Sequence, residues 1–149
     1  MSDLHNTVLV GDVLEGLKKI PAESIDIVIS SPPYNIGLDY GALVDDRRAW
    51  DDYWVWVVSW LTELRRVLVV GGLVALNVPK DVGLKDGRIL RAGHNYEQLV
   101  DALFLPRETI VWVKGKEEGE AYSTSYAMGG DNNLRMRPTC EYIVMGSKD

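Results

Sequence analysis

Cysteine is nearly missing from this sequence: Cys140 stands alone, so no internal disulfide can form and no cysteine-rich zinc site can be assembled. Histidine is as scarce, and His5 and His94 lack metal-ligand spacing to any partner, so no metal is expected. No apolar run approaches the roughly 20 residues that a membrane span requires. The opening MSDLHNTVLVGD has neither a basic start nor a long apolar core. A cytoplasmic protein without export or membrane anchoring is the expectation. A basic excess is also lacking: 16 Lys and Arg face 22 Asp and Glu, a net charge of −6, with −7 in residues 1–64 and +1 in residues 65–149. Non-specific nucleic-acid binders depend on basic groups meeting phosphates, so any such contact here must be local or shared. Repeats, low-complexity tracts and interdomain linkers are absent too. What remains is 149 residues, 46% hydrophobic and 26% charged, which fits one globular domain with one core.

The pattern along the chain alternates. Residues 7–10 form a short β-branched run ending at Gly11-Asp12, and apolar residues at 13, 14, 17 and 20 then follow a helical spacing. Residues 25–30 (IDIVIS) read as a strand buried on both faces of a parallel sheet. Trp50, Tyr53, Trp54, Val57, Leu61, Leu64 and Leu68 recur at three and four residues, which predicts a long amphipathic helix over 48–68 with a stop at Gly71-Gly72. Residues 73–78 (LVALNV) predict another strand, 95–103 a helix, and 108–114 and 142–145 the last two strands. Between these two lie residues 115–138, rich in Gly, Ser, Asn and charge; a loop this long inside a compact domain is usually functional or mobile. The order predicts an α/β sheet with a C-terminal antiparallel strand pair. Ligands of such sheets bind at the carboxyl ends of the strands, where Asp12 and the segment Ser31-Pro32-Pro33-Tyr34 sit.

A buried strand running straight into two prolines makes a stiff, extended turn, because neither proline donates an N–H and both fix φ near −65°. Its carbonyls are left free to point at a ligand, between a serine hydroxyl and an aromatic face. The plainer alternative is that Pro-Pro only ends the strand and Tyr34 is a core aromatic.

The surroundings weigh against that alternative. Gly11-Asp12-Val13-Leu14-Glu15-Gly16-Leu17, Pro21 to Ile25, and the run from Asp26 through Ser31-Pro32-Pro33-Tyr34-Asn35 to Gly37 resemble the start of the amino-methyltransferases of DNA, in particular the permuted beta class. The resemblance continues through Arg66-Val67-Leu68 with Gly71-Gly72, Leu76-Asn77-Val78, residues 110–115, and Arg137 with Cys140-Glu141-Tyr142-Ile143-Val144. That family carries Asp, Asn or Ser before Pro-Pro-aromatic, and the Ser form at Ser31 is similar to its N4-cytosine branch, whereas Asp is typical of N6-adenine enzymes. The resemblance implies a partial Rossmann-like S-adenosylmethionine-dependent methyltransferase sheet, double-stranded DNA as substrate and S-adenosylmethionine as cofactor.

The residue types suit that chemistry. An exocyclic amine has its lone pair delocalised into the base, so both N–H bonds must be held by acceptors that favour a tetrahedral nitrogen; Ser31 Oγ and, by resemblance, the Pro32 carbonyl would be those acceptors, and they would stabilise the charge that develops. Tyr34 would stack on the base once it has left the duplex. Cys140 lies far along the chain and outside a Pro-Cys context, against a covalent route. Asp12 resembles the acidic residue near the adenosine of the cofactor, or is a helix N-cap, and both roles can hold. Asn35 lines the same pocket or is only a turn residue, and Asp39 and Tyr40 lie in a loop that could fold over the cofactor. Lys114, Lys116, Arg135 and Arg137 either hold phosphates or form a solvated surface among Glu117, Glu118 and Glu120. Trp50, Trp54, Trp56 and Trp60 read as helix core and subunit surface rather than a stacking platform.

The resemblance also implies something missing. The family's Phe-x-Gly-x-Gly cofactor turn has no counterpart here, since neither Gly71-Gly72 nor Gly129-Gly130 has the turn spacing after a strand that leads into a helix. Residues 1–149 therefore read as the catalytic-motif half, inactive alone, without the cofactor half and the target-recognition region. In the family's sheet that absent half separates residues 7–10 from residues 25–30, so both would lack neighbours and leave an open edge. A second polypeptide carrying the cofactor turn, self-association, or the rest of a longer chain would fill the slot. The alternatives are an N6-adenine DNA enzyme, a non-catalytic DNA- or partner-binding subunit, and methylation of RNA or a protein amide.

Overall fold

A computed structural model describes residues 6–41, 46–84, 86–114 and 140–149. Helix α1 (Val13–Leu17) starts where Asp12, in extended conformation, accepts hydrogen bonds from the amides of Leu14 and Glu15 at 2.9 and 3.2 Å, which satisfies donors that a first helical turn otherwise leaves unpaired. The spacing predicted a helix to residue 20, but α1 ends at Leu17. The turn beyond it is held by Arg66, whose guanidinium donates to the carbonyls of Leu17 at 2.8 Å and Ile20 at 3.1 Å. Arg66 lies in the last turn of α2 (Trp50–Val67), so this contact docks α1 and its cap onto the long helix.

Helix α2 matches the expected periodicity, with Tyr53, Val57, Trp60, Leu61, Leu64 and Val67 buried. Asp51 and Asp52 in its first turn and Arg65 and Arg66 in its last complement the helix dipole. Strand β2 (Leu68–Pro79) follows without a loop, so Gly71-Gly72 does not stop the helix as predicted. The two glycines instead form a bulge. Pairing with β1 (Ile25–Ser30) jumps from Ile25↔Leu68 to Ile27↔Leu73, Gly71 adopts φ +78°, and a Cβ on Gly72 would lie 2.9 Å from the Val69 carbonyl oxygen. Only glycine accommodates that extra chain.

Strands β3 (Val82–Gly83) and β4 (Ile89–Leu90) form a small antiparallel pair, followed by α3 (Ala92–Leu103), β5 (Leu105–Val113) and β6 (Cys140–Ser147). The main sheet has the order β1-β2-β6-β5. β1 runs parallel to β2, and the other two pairings are antiparallel. The C-terminal antiparallel pair is as expected.

Strand alternation divides the sheet into two unlike faces. Val28, Val74, Leu76, Val78 and Val144 share the face that packs against all three helices in one core. The register puts Ile27, Ile29, Ala75, Asn77, Glu141, Ile143 and Trp112 on the other face. There Ile27 is 51% and Ile29 76% exposed, so β1 is not buried on both faces as its sequence predicted: no described element lies over that side. Residues 7–10 are likewise not a strand, and Val8 and Val10 are 87% and 88% exposed. A β-branched run becomes a strand only when a neighbour takes its backbone groups, and the sheet offers none there among the described residues. The expected open edge of β1 is present. No helix among the described residues is long and apolar enough to cross a membrane.

Candidate active site

Ser31-Pro32-Pro33-Tyr34 leaves the carboxyl end of β1, at the edge of the sheet. Its shape is fixed from behind. Tyr53 on α2 donates its hydroxyl proton to the Pro33 carbonyl at 2.7 Å, and its oxygen lies 2.7 Å from the hydroxyl of Tyr96 on α3. Tyr96 is fully buried. Burial first, with the Tyr96 hydrogen bond opposing it, pushes the Tyr53 phenol up to about 12, so the pair stays protonated and keeps donating. The Pro32 carbonyl accepts from no donor among the described residues, whereas Pro33 is taken. The two prolines therefore divide the work: one anchors the turn and the other offers an acceptor.

Beyond Tyr34 the chain is held by a carboxylate. Asp46, buried to 2% exposure, accepts from the amides of Asn35, Ile36, Gly37 and Leu38 at 2.6, 3.1, 2.9 and 2.8 Å. Successive amides converging on one anion form a backbone nest, here filled from within the chain. Asn35 makes the turn with φ 59°, which Asn tolerates better than most residues. Both ends of its side chain are engaged with Arg48: Nδ2 donates to the Arg48 carbonyl at 3.0 Å and Oδ1 accepts from the Arg48 amide at 2.8 Å.

In front, polar groups from three strands meet. The Ser31 hydroxyl, exposed to solvent, lies 3.2 Å from the Tyr34 hydroxyl. Asn77, near the end of β2, donates through Nδ2 to the Tyr34 oxygen at 2.9 Å and to Glu141 Oε2 at 2.7 Å. Tyr34 Oη also lies 3.3 Å from Glu141 Oε2 and 3.4 Å from the Asn77 carbonyl. Glu141 on β6 is ion-paired with Lys114, whose ammonium sits 5.3 Å from the centre of the Trp112 ring. Partial burial alone would raise the Glu141 carboxyl, but the hydrogen bonds from Lys114, Asn77 and Tyr34 and the Lys114 charge outweigh it and hold it below the usual range. Tyr34 moves the other way, raised chiefly by burial and further by the Glu141 charge, against the Ser31 hydrogen bond.

A groove of about 280 Å3 opens beside this cluster, lined by Tyr34, Ile36, Pro79, Asp81, Val82, Gly83, Cys140 and Glu141. A larger one, about 730 Å3, continues past Ile36, Val82 and Gly83 to Arg47, Arg48, Trp50 and Arg88. Cys140, far from Tyr34 in sequence, thus shares a wall with it.

The expected site residues fall into three groups. Ser31, Pro32, Pro33 and Tyr34 lie together in the turn after β1, with Ser31 exposed, Pro32 buried and Pro33 and Tyr34 part-buried. Asp12 is at the α1 cap, with Oδ1 taking both amide hydrogen bonds, and Asn35 is committed to the turn. Of the basic residues expected at phosphates, Lys114 turns toward Glu141, while Lys116, Arg135 and Arg137 lie outside the described residues. Trp60 is buried, and Trp50, Trp54 and Trp56 pack partly buried against the core. The sequence reading gave no role to Asn77, Glu141, Asp46, Tyr53 or Tyr96. A polar residue interrupting LVALNV was the visible signal for Asn77, and Glu141 and Tyr53 appeared only as members of a motif and of a helical spacing; Asp46 and Tyr96 showed no signal.

Known proteins resemble this chain in sequence and fold. The family model described as DNA methylase, of N6/N4 methyltransferase type, matches residues 25–149. The type II methyltransferase M.MjaVI of Methanocaldococcus jannaschii is 34% identical over 93 residues, 62% of this chain and 47% of that protein. The DNA adenine methyltransferase YhdJ of Escherichia coli is 44% identical over 64 residues, 42% of this chain and 21% of that one. A solved structure of TTHA0409 from Thermus thermophilus, assigned as a DNA modification methylase and complexed with S-adenosyl-L-methionine, superposes with a TM-score of 0.61 at 25% identity, covering 93% of this chain and 54% of that one. The chain thus spans about half the length, or less, of these relatives. With the motif turn at the carboxyl end of a parallel strand, in a Rossmann-like methyltransferase sheet matched by a family model from β1 onward, this chain belongs to the DNA methylase family.

Proposed function

We propose that this chain is the catalytic-motif half of an S-adenosylmethionine-dependent DNA amino-methyltransferase of the permuted beta class, acting on cytosine N4 within a restriction-modification or related system. The observation that carries the reading is an exposed Ser31 at the carboxyl end of β1, followed by a Pro32 carbonyl that accepts nothing from the described residues. Two acceptors on adjacent residues suit the two N–H bonds of an exocyclic amine. They hold the nitrogen in position and stabilise the positive charge that grows there. Tyr34 offers the stacking surface for a base extruded from the duplex, and Tyr53 keeps the turn rigid through the Pro33 carbonyl.

The residues present fit the cofactor in part. Asp12 spends Oδ1 on its cap, but Oδ2 accepts nothing among the described residues, so the carboxylate keeps an acceptor for a ribose hydroxyl or an ammonium group. Asn35 would contribute wall shape rather than a free amide. Bound S-adenosylmethionine supplies an electrophilic sulfonium methyl. The rest of its site is assigned to the half that carries the family's glycine turn, and the open edge of β1 with the exposed Ile27 and Ile29 is where that half would pack. It would come from a second polypeptide, a second copy, or further chain, and would bring most of the DNA-binding surface. Lys116, Arg135 and Arg137 would add phosphate contacts.

The test is to incubate the chain, completed by its other half, with DNA and labelled cofactor and to identify the methylated nucleoside. N4-methylcytosine is expected, and Ser31→Ala should cost about 100- to 1,000-fold in turnover, the effect of losing one preorganised group that stabilises transition-state charge. The 44% identity to an adenine enzyme over 64 residues favours N6-adenine as the second reading. N6-methyladenine alone would replace the cytosine assignment by that one.

A further inference from the structure

Three oxygens compete for a single phenol proton in this site. Tyr34 Oη has Ser31 Oγ at 3.2 Å, Glu141 Oε2 at 3.3 Å and the Asn77 carbonyl at 3.4 Å as neighbours able to accept. Asn77 Nδ2, at 2.9 Å, can only donate to it. An ionised carboxylate is the strongest acceptor of the three, and Glu141 stays ionised because Lys114 and Asn77 fix its two oxygens. The phenol proton therefore goes to Glu141. With that proton committed, Tyr34 Oη can meet Ser31 only as an acceptor, so the serine proton turns inward and its lone pairs face the open side.

We propose that Glu141 is a positioning residue for this site, orienting Ser31 Oγ as a hydrogen-bond acceptor through the chain Ser31 Oγ–H to Tyr34 Oη–H to Glu141 carboxylate. This rests on the reading of Ser31 as an amine acceptor. Without Glu141 the phenol proton is free to point at Ser31, and the serine lone pair that should hold the amine is then occupied. The geometry is economical in charge: the carboxylate is 13% exposed, compensated by Lys114, and lies two hydrogen bonds from Ser31, so it acts without touching substrate. Other ionisable groups around the pair are Lys114 on the Glu141 side, Tyr40, Tyr53 and Tyr96 around Tyr34, and Asp81 and Cys140 in the same groove.

Two measurements separate this from a structural role. In the isolated chain, titration of Tyr34 followed by the NMR signal of its labelled ring carbon should move to lower pH in Glu141→Gln, because the neighbouring negative charge is gone. In the completed enzyme, Glu141→Gln should lower kcat by about 10- to 100-fold, the size of one hydrogen bond to a charged group, with KM for DNA and cofactor unchanged. Should Glu141→Gln fail to fold, Lys114→Met, at a half-exposed position, serves instead: it lets Glu141 protonate more readily, so the acidic limb of the kcat profile should move to higher pH. An unmoved Tyr34 titration, an unchanged kcat, or an acidic limb indifferent to Lys114→Met would each overturn the proposal. If Ser31→Ala itself leaves methylation intact, the amine-acceptor reading fails; if Ser31→Ala is inactive while Glu141→Gln is unaffected, only the positioning role fails.

Discussion

Tyr53→Phe removes a single oxygen that serves two others. The Pro33 carbonyl loses its donor at 2.7 Å, and the fully buried Tyr96 hydroxyl loses its partner at 2.7 Å. Each polar group left unsatisfied costs about 1–3 kcal/mol, so with two orphaned the substitution should destabilise by about 2–6 kcal/mol. At about 2–4 °C per kcal/mol for a chain of this size, the melting temperature should fall by roughly 4–24 °C. The cost should be non-additive with Tyr96→Phe. In the double variant only the Pro33 carbonyl remains orphaned, so the pair should cost about 1–3 kcal/mol less than the two singles summed. Urea unfolding of wild type, both singles and the double measures this directly. Additivity to within about 0.5 kcal/mol, the behaviour of independent sites, would refute the chain from Tyr96 through Tyr53 to Pro33, and with it the reason given for a rigid motif turn.

The same pair should reveal itself at alkaline pH. Tyr53 ionises at about 12 when folded and near 10 when unfolded, so above the unfolded value the unfolded state holds fewer protons and stability falls as pH rises. Tyr53 should contribute a slope approaching 1.4 kcal/mol per pH unit, about one proton's worth, between roughly pH 10 and 12, on top of that from Tyr96, and Tyr53→Phe should lose it, as read from urea midpoints. Asp46→Ala should cost about 3 kcal/mol, because four amides lose a charged acceptor and the Asn35 amide is buried. Limited proteolysis should then cut between residues 35 and 38, where the wild type resists.

The parts of this fold set by local pattern were legible in the sequence. The three-and-four spacing from Trp50 to Leu64 became one face of α2, and the β-branched runs at 25–30 and 73–78 became the parallel pair that carries the motif turn. Where local preference needed a partner, it misled. Residues 7–10 have a strand's composition but no neighbour, and Ile27 and Ile29 look like core yet face outward because nothing described covers that side. Gly71-Gly72 carried a helix-stop signal, but the backbone needed them one step later, for the bulge that lets β2 follow α2 directly. The site divides the same way. Ser31 to Tyr34 stood out as a strand running into two prolines, but it was the surrounding motifs that weighed against a mere strand end. Glu141 and Asn77 appeared in the sequence only as members of motifs, because their partnership comes from the register of β2 against β6, which brings them into hydrogen-bond contact across 64 residues of chain. Asp46 was hidden for a related reason: its four partners are backbone amides, which leave no trace in residue identity.

The most direct test of the central claim is the nucleoside composition of DNA treated with the completed enzyme and its Ser31→Ala variant, read by mass spectrometry. N4-methylcytosine from the wild type and about 100- to 1,000-fold slower formation with Ser31→Ala is the predicted result. Wild-type rates from Ser31→Ala, or no methylated base from any completed form, would contradict it.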